Sequence, residues 1–148
     1  MLSGSITPGA VALIEDAVLH RANIVVVGGT SSGKTTFVNA VIDAVSRLTP
    51  THRLIILEDT AELQSKSPNT VFLRTSVLAE VDRRIRSKMS MRYEPNRIRG
   101  VAVRDADSSE IINSWKYSHP GGTSPLYAEH QEEALWRHTE TVKTDWSG

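Results

Sequence analysis

Two glycines with four residues between them, followed at once by a lysine and a threonine, occur in the run Gly28-Gly29-Thr30-Ser31-Ser32-Gly33-Lys34-Thr35. This is the G-x-x-x-x-G-K-[ST] pattern of a phosphate loop. Glycines let the backbone curl so that several N–H groups converge on one anion, and a helix starting beside them adds its partial positive charge. The Lys34 ammonium suits the β- and γ-phosphates of ATP, and the Thr35 hydroxyl suits Mg2+. The candidate nucleotide-binding residues are therefore Gly28, Gly29, Thr30, Ser31, Ser32, Gly33, Lys34, Thr35 and Thr36, with ATP and Mg2+ as the implied cofactors. A glycine turn arising by chance is the alternative, and the elements on either side argue against it.

Holding phosphates is not cleaving them, because hydrolysis also needs a polar group that orients or deprotonates water. The acidic candidates stand in Leu54-Ile55-Ile56-Leu57-Glu58-Asp59, with Glu62 close behind. Glu58 and Glu62 join Lys34 as candidate catalytic residues, and Asp59 joins Thr35 as a candidate metal ligand. The competing reading of such a short pattern is a pair of solvated acids in a turn.

The elements that must position these groups follow from the spacing of apolar residues. Thr7 before Pro8 starts a helix, with Val11, Ile14 and Val18 recurring at helical intervals up to His20. Asn23 to Val27 is β-branched without alternation, which predicts a strand buried on both faces of a parallel sheet. Thr35 to Leu48 carries Phe37, Val38, Val41, Ile42 and Val45 on one stripe of a helix, and Pro50 ends it. Leu54 to Leu57 reads as a second buried strand, Ser65 to Asn69 as a loop and Val71 to Leu73 as a third strand. Val77 to Met91 reads as a helix with basic residues outward, Arg97 to Val103 as a fourth strand, and Asp107 with Glu110 as the start of another helix. His119-Pro120-Gly121-Gly122 is a turn. The pattern is α/β, a mainly parallel sheet flanked by helices, with ligands expected at the carboxyl ends of the strands.

Composition bounds the rest. The 148 residues suit one domain, expected to be a core over 1–128 with a polar, fraying tail over 129–148. Lys plus Arg and Asp plus Glu number 17 each, so no net field signals nucleic acid or an anionic membrane. There is no cysteine, hence no disulfide framework, no thiolate nucleophile and no Cys-based zinc site. Uninterrupted apolar runs are no longer than a strand, far short of the roughly 20 residues of a membrane-spanning helix, and no signal peptide is predicted. A soluble protein is expected.

The segments "NIVVVGGTSSGKTTFVNAVIDAV", "RLIILEDTAELQ", "VFLRTS", "MRYEPNRI" and "SHPGGT" occur in an order that resembles the traffic ATPases of type IV secretion and conjugation, especially the TrbB-like conjugal-transfer ATPases. The resemblance implies a RecA-like P-loop ATPase domain, a homo-oligomer that is a hexamer in the family, and a place at the cytoplasmic face of the inner membrane among other conjugation or secretion components. It puts Glu58, Asp59 and Glu62 in an acidic box, His119 in a histidine box as a further candidate catalytic residue, and Arg74 and Arg104 on family arginines. Taken without the resemblance, His119 reads as a turn residue before Pro120.

The chain also departs from that pattern. Where the family has a strand ending in Gly-Glu before Val-Arg, this sequence aligns Val101 and Ala102 before Val103 and Arg104. An alanine methyl neither orients water nor accepts a proton. After the histidine box, a Thr-Val-His-Ala-like stretch is replaced by Pro125-Leu126-Tyr127-Ala128, which costs a second histidine and a ladder donor at Pro125. The family's flanking parts are expected to be missing at both ends. Two functions stay open on this basis, an ATPase domain that energises substrate transfer or pilus assembly and a hydrolysis-impaired nucleotide-binding module. A small P-loop kinase is a third option, with no acceptor-binding segment to favour it.

Overall fold

The computed structural model describes residues 6–58, 61–74, 97–100, 120–128 and 132. In chain order the elements are α1 (Pro8–Leu19), β1 (Ile24–Gly28), α2 (Lys34–Leu48), β2 (Leu54–Glu58), β3 (Thr70–Arg74), β4 (Arg97–Gly100) and β5 (Thr123–Tyr127). The expected helices from Val77 and Asp107 and nearly all of the expected tail lie outside the described residues. Thr7 caps α1 as its sequence suggests, its hydroxyl accepting from the Ala10 N–H at 3.3 Å with Pro8 in the first turn.

The strands form one sheet in the order β1-β5-β4-β2-β3, and every pairing is parallel. The stripe of α2 supplies the core. Val38 and Ile42 pack with Leu54 and Ile56 of β2, with Val26 of β1 and with Leu63. A quarter-turn round the same helix, Val41, Ala44 and Val45 meet Val18 of α1, with Ile14, Ile24, Phe37 and Leu48 at the margin. Every residue of β2 is buried, as its continuous apolar run predicts. β1 differs from expectation. Among the described strands it lies at the end of the sheet order, Ile24 and Val26 turn toward α2, and Val25 and Val27 are each 37% exposed. A run without alternation in sequence has become a strand with alternating exposure, because among the described residues α2 packs against one of its faces.

Two backbone details set the register at the other side of β1. Asn23 Oδ1 accepts from the N–H groups of Gly121 (2.8 Å) and Gly122 (3.2 Å), and Gly121 adopts a left-handed φ of 87° that glycine reaches without strain. The Ile24 N–H then donates to the Gly122 carbonyl at 2.9 Å, so Ile24 registers with Thr123 and Gly28 with Tyr127. By the alternation of a parallel ladder, Thr123 and Pro125 direct their backbone groups toward β4. The donor missing at Pro125 is thus absent from the β4 side, where Arg99 with Thr123 is the pairing made among the described residues. The β1 ladder does not depend on it.

An ion-pair chain ties the covering layer together on the outside. Arg47 of α2 reaches Glu15 of α1 at 3.0 Å and Asp43 at 3.3 Å, and Asp43 also pairs with Lys66 of the β2–β3 loop at 3.2 Å. Lys66 above all, and Arg47 with it, hold the Asp43 carboxyl below its ordinary value near 3.8 against the opposing effect of burial.

Ile42→Ala removes a fully buried side chain from the centre of this packing and is expected to destabilise by about 2–5 kcal/mol, whereas Val25→Ala on the exposed face of β1 costs under about 1 kcal/mol; urea unfolding of both variants checks the contrast. The folded state depresses the Asp43 pKa, so the stability it contributes is present above about pH 4 and is lost as the pH falls through the folded value. With the Asp43 side chain 40% exposed, Asp43→Asn is expected to cost less than about 1 kcal/mol at pH 7, and the difference from the parent protein shrinks at pH 3 in the same unfolding measurement.

Candidate phosphate-binding site

Because all five strands run parallel, their carboxyl ends share one edge of the sheet, where Gly28 closes β1 and Glu58 closes β2. The chain leaves β1 in a tight curl. Ser31 (φ 58°) and Gly33 (φ 84°) are both left-handed, and the Ser32 N–H points back to the Gly29 carbonyl at 3.4 Å. A Cβ at position 28 would lie 2.5 Å from Ser32 Oγ and 3.3 Å from its Cβ, so a side chain there would force the Ser32 hydroxyl to turn away. Gly33 then starts α2 with no side-chain cap, and no acidic residue stands in the first helical turn. The first amides of α2 therefore retain the donor capacity and partial positive charge that suit an anion.

The Lys34 ammonium donates to the Gly29 carbonyl, folding over the loop it would share with a phosphate. Thr30, Ser31, Ser32, Gly33 and Thr36 are exposed, while Gly28, Gly29, Lys34 and Thr35 are half-buried. The cradle opens to solvent along its serine side.

The acidic segment is drawn in from the far side of the sheet. Thr35 Oγ1 donates to Glu62 Oε2 at 3.3 Å, across 27 positions of sequence. This brings the expected Mg2+ ligand and an exposed carboxylate together. Glu58 does something different. It is only 2% exposed, and its Oε2 accepts from the backbone N–H groups of Glu62 (3.2 Å) and Leu63 (3.0 Å). Of the acids read as solvated or catalytic, Glu58 is an internal anchor for the segment that carries Glu62. Leu63 follows it into the core beside Val38 and Ile42.

Asn39 is a residue that the sequence reading passed over. Its side chain donates from Nδ2 to the Glu62 carbonyl (3.2 Å) and accepts at Oδ1 from the Gln64 N–H (3.0 Å). An asparagine inside a helical run was the available signal, since asparagine competes with helical hydrogen bonds and is retained there when its amide serves elsewhere. Asp59, Ala102, Arg104 and His119 lie outside the described residues. The Pro120–Gly122 segment that follows His119 sits beside Asn23, at the amino ends of β1 and β5 and away from Gly28. Tyr127, at the carboxyl end of β5, is in register with Gly28. Arg74 closes β3 in register with Glu58.

A parallel sheet, a glycine curl with Lys34 and Thr35 at a helix start, and carboxylates at and just beyond the end of β2 on the same edge of the sheet define the class: a RecA-like P-loop core. The Type II/IV secretion system protein family matches residues 5–146, and the chain belongs to that family. It is 42% identical over 135 residues to a probable conjugal transfer protein TrbB of Sinorhizobium fredii NGR234, covering 91% of this chain and 41% of that protein. To the conjugal transfer protein TrbB of Rhizobium radiobacter it is 40% identical over 131 residues, covering 88% of this chain and 40% of that one. Among solved structures, the VirB11 ATPase of the Brucella suis type IV secretion system, in complex with sulphate, superposes with a TM-score of 0.77 at 27% identity over 95% of this chain and 44% of that chain. The pilus retraction motor PilT with bound ADP shares the fold at a TM-score of 0.67. The chain thus spans about two fifths of the length of the relatives it matches.

Glu58→Ala strips the buried acceptor from two backbone amides and is expected to destabilise by about 2–3 kcal/mol, while Glu62→Ala on the exposed side changes stability by less than about 0.5 kcal/mol. Chemical denaturation of the two variants separates the anchoring acid from the exposed one.

Proposed function

We propose that this chain is the nucleotide-binding core of a conjugal-transfer or type IV secretion ATPase, holding ATP with Mg2+ on the loop from Gly28 to Thr36. The observation that carries the proposal is the contact of the Thr35 hydroxyl with the Glu62 carboxylate at the mouth of the glycine curl. The donors fit the group, since a hydroxyl and a carboxylate are the hard oxygens that Mg2+ takes, and the uncapped start of α2 beside Lys34 fits a phosphate. Bound Mg2+ would supply charge neutralisation on the β- and γ-phosphates. Of this chain's own residues, Lys34 would pair with those phosphates, Thr35 would ligate the metal, and Glu62 would orient water next to it. Asp59 as a metal ligand and His119 as a catalytic residue belong to the same proposal, on the strength of their places in the acidic and histidine boxes. By the same likeness, the working form is a homo-oligomer, a hexamer docked on conjugation or secretion components at the cytoplasmic side of the inner membrane.

A second reading is favoured by a specific feature. Position 102 is alanine where the family carries its Walker-B glutamate, and Glu58 has its Oε2 committed to backbone amides. On that reading the site binds ATP and turns it over slowly or not at all.

The deciding experiment is Mg2+-dependent ATP hydrolysis by the purified protein beside Lys34→Ala, with ATP binding measured in parallel. Turnover that disappears in both Lys34→Ala and Glu62→Gln is the expected result. Binding without turnover, with hydrolysis appearing in Ala102→Glu by about a hundredfold or more, would establish the second reading. Loss of ATP binding altogether would overturn both.

A further inference from the structure

Glu62 is exposed and carried by an irregular segment between β2 and β3, yet it meets Thr35 across 27 positions. A long side chain on an unsupported loop does not hold a hydrogen-bonding geometry, and positioning errors near 1 Å suffice to lose catalytic function. The support is visible in the backbone around it. Glu58 fixes the N–H groups of Glu62 and Leu63 from the β2 side. The Asn39 amide grips the same segment from the helix side, donating to the Glu62 carbonyl and accepting from the Gln64 N–H much as a neighbouring strand would. Asn39 stands four residues after Thr35 on α2, which puts the two on one helical face. Its grip therefore locks the Glu62 backbone to the very helix that presents Thr35.

We infer that Asn39 is a positioning residue that holds the Glu62 carboxylate in register with the Thr35 hydroxyl, and so sets how strongly Mg2+ reinforces nucleotide binding. The inference rests on the nucleotide-binding reading and adds to it a residue in contact with neither phosphate nor metal. The Glu58 anchor alone leaves the segment attached to β2, which is separated from β1 by β4 and β5 in the sheet. Only the Asn39 amide refers the backbone of that segment directly to α2 by hydrogen bonds among the described residues.

The test measures the affinity of a fluorescent ATP analogue with excess Mg2+ and again with EDTA, for the parent protein, Asn39→Ala, Asn39→Asp, Glu62→Gln and the Asn39→Ala/Glu62→Gln double variant. Backbone hydrogen exchange at Gln64 is followed in the nucleotide-free proteins. The parent is expected to bind more tightly with Mg2+. Asn39→Ala should reduce that Mg2+ enhancement by about tenfold, the loss typical of outer-shell partners, and leave affinity in EDTA unchanged. Asn39→Asp keeps an acceptor for Gln64 but sets a carboxylate oxygen against the Glu62 carbonyl, and it should lose the enhancement while retaining slow exchange at Gln64. The double variant should be no worse than Glu62→Gln, because two residues acting through one contact are not additive. Asn39→Ala that keeps the parent enhancement, or that weakens binding equally in EDTA and Mg2+, or that adds its loss fully to that of Glu62→Gln, would overturn the inference alone. Unchanged exchange at Gln64 in Asn39→Ala would do so without any nucleotide. A parent protein that binds no ATP in either condition overturns the nucleotide-binding reading and this inference together.

Discussion

The structure depends on the burial of one helical stripe. Val38 and Ile42 of α2 are pressed between Leu54, Ile56 and Val26, and Val41 and Val45 accept Val18 of α1. Removing this apolar surface from water is the main favourable term in the fold. It also has a directional consequence. A helix that follows β1 and must pack back across a parallel sheet begins where the strands end, so its uncapped amino terminus, Lys34 and Thr35 arrive at the carboxyl edge. The candidate phosphate site is placed by the same contacts that stabilise the core.

The acidic side of the site is built by polar groups rather than by packing. β2 is buried throughout, and its last residue carries a carboxylate into the interior. Burying an ionisable group is costly unless hydrogen bonds receive it, and the amides of Glu62 and Leu63 do so. In satisfying Glu58 they bend the chain so that Leu63 enters the core and Glu62 faces the loop. Acids four residues apart thus acquire opposite environments, one buried against backbone amides and one exposed beside a hydroxyl.

The family relationship gives the arrangement its context. Relatives named for conjugal transfer are 42% and 40% identical to the chain, and the VirB11 ATPase of Brucella suis shares the fold at 27% identity. Within the described residues, Pro125 withdraws a backbone donor on the β4 side of β5 while the β1 ladder keeps its five registers.

Much of this was legible in the chain itself. The glycine and lysine spacing, the Thr7-Pro8 start, the stripe from Phe37 to Val45 and the continuous apolar run of β2 are local signals, and local physics suffices to interpret them. Strand order is not local. The sequence could not say that β1 ends the order of the described strands with Val25 and Val27 exposed, because a β-branched run looks the same whether one face is covered or two. Nor could it divide the acids, since Glu58 and Glu62 differ only in which backbone amides and which hydroxyl the fold brings to them. The sequence alone determined that a phosphate loop opens an amphipathic helix. Tertiary structure alone decided which carboxylate meets it, because that contact spans 27 positions and exists only once α2 has packed on the sheet.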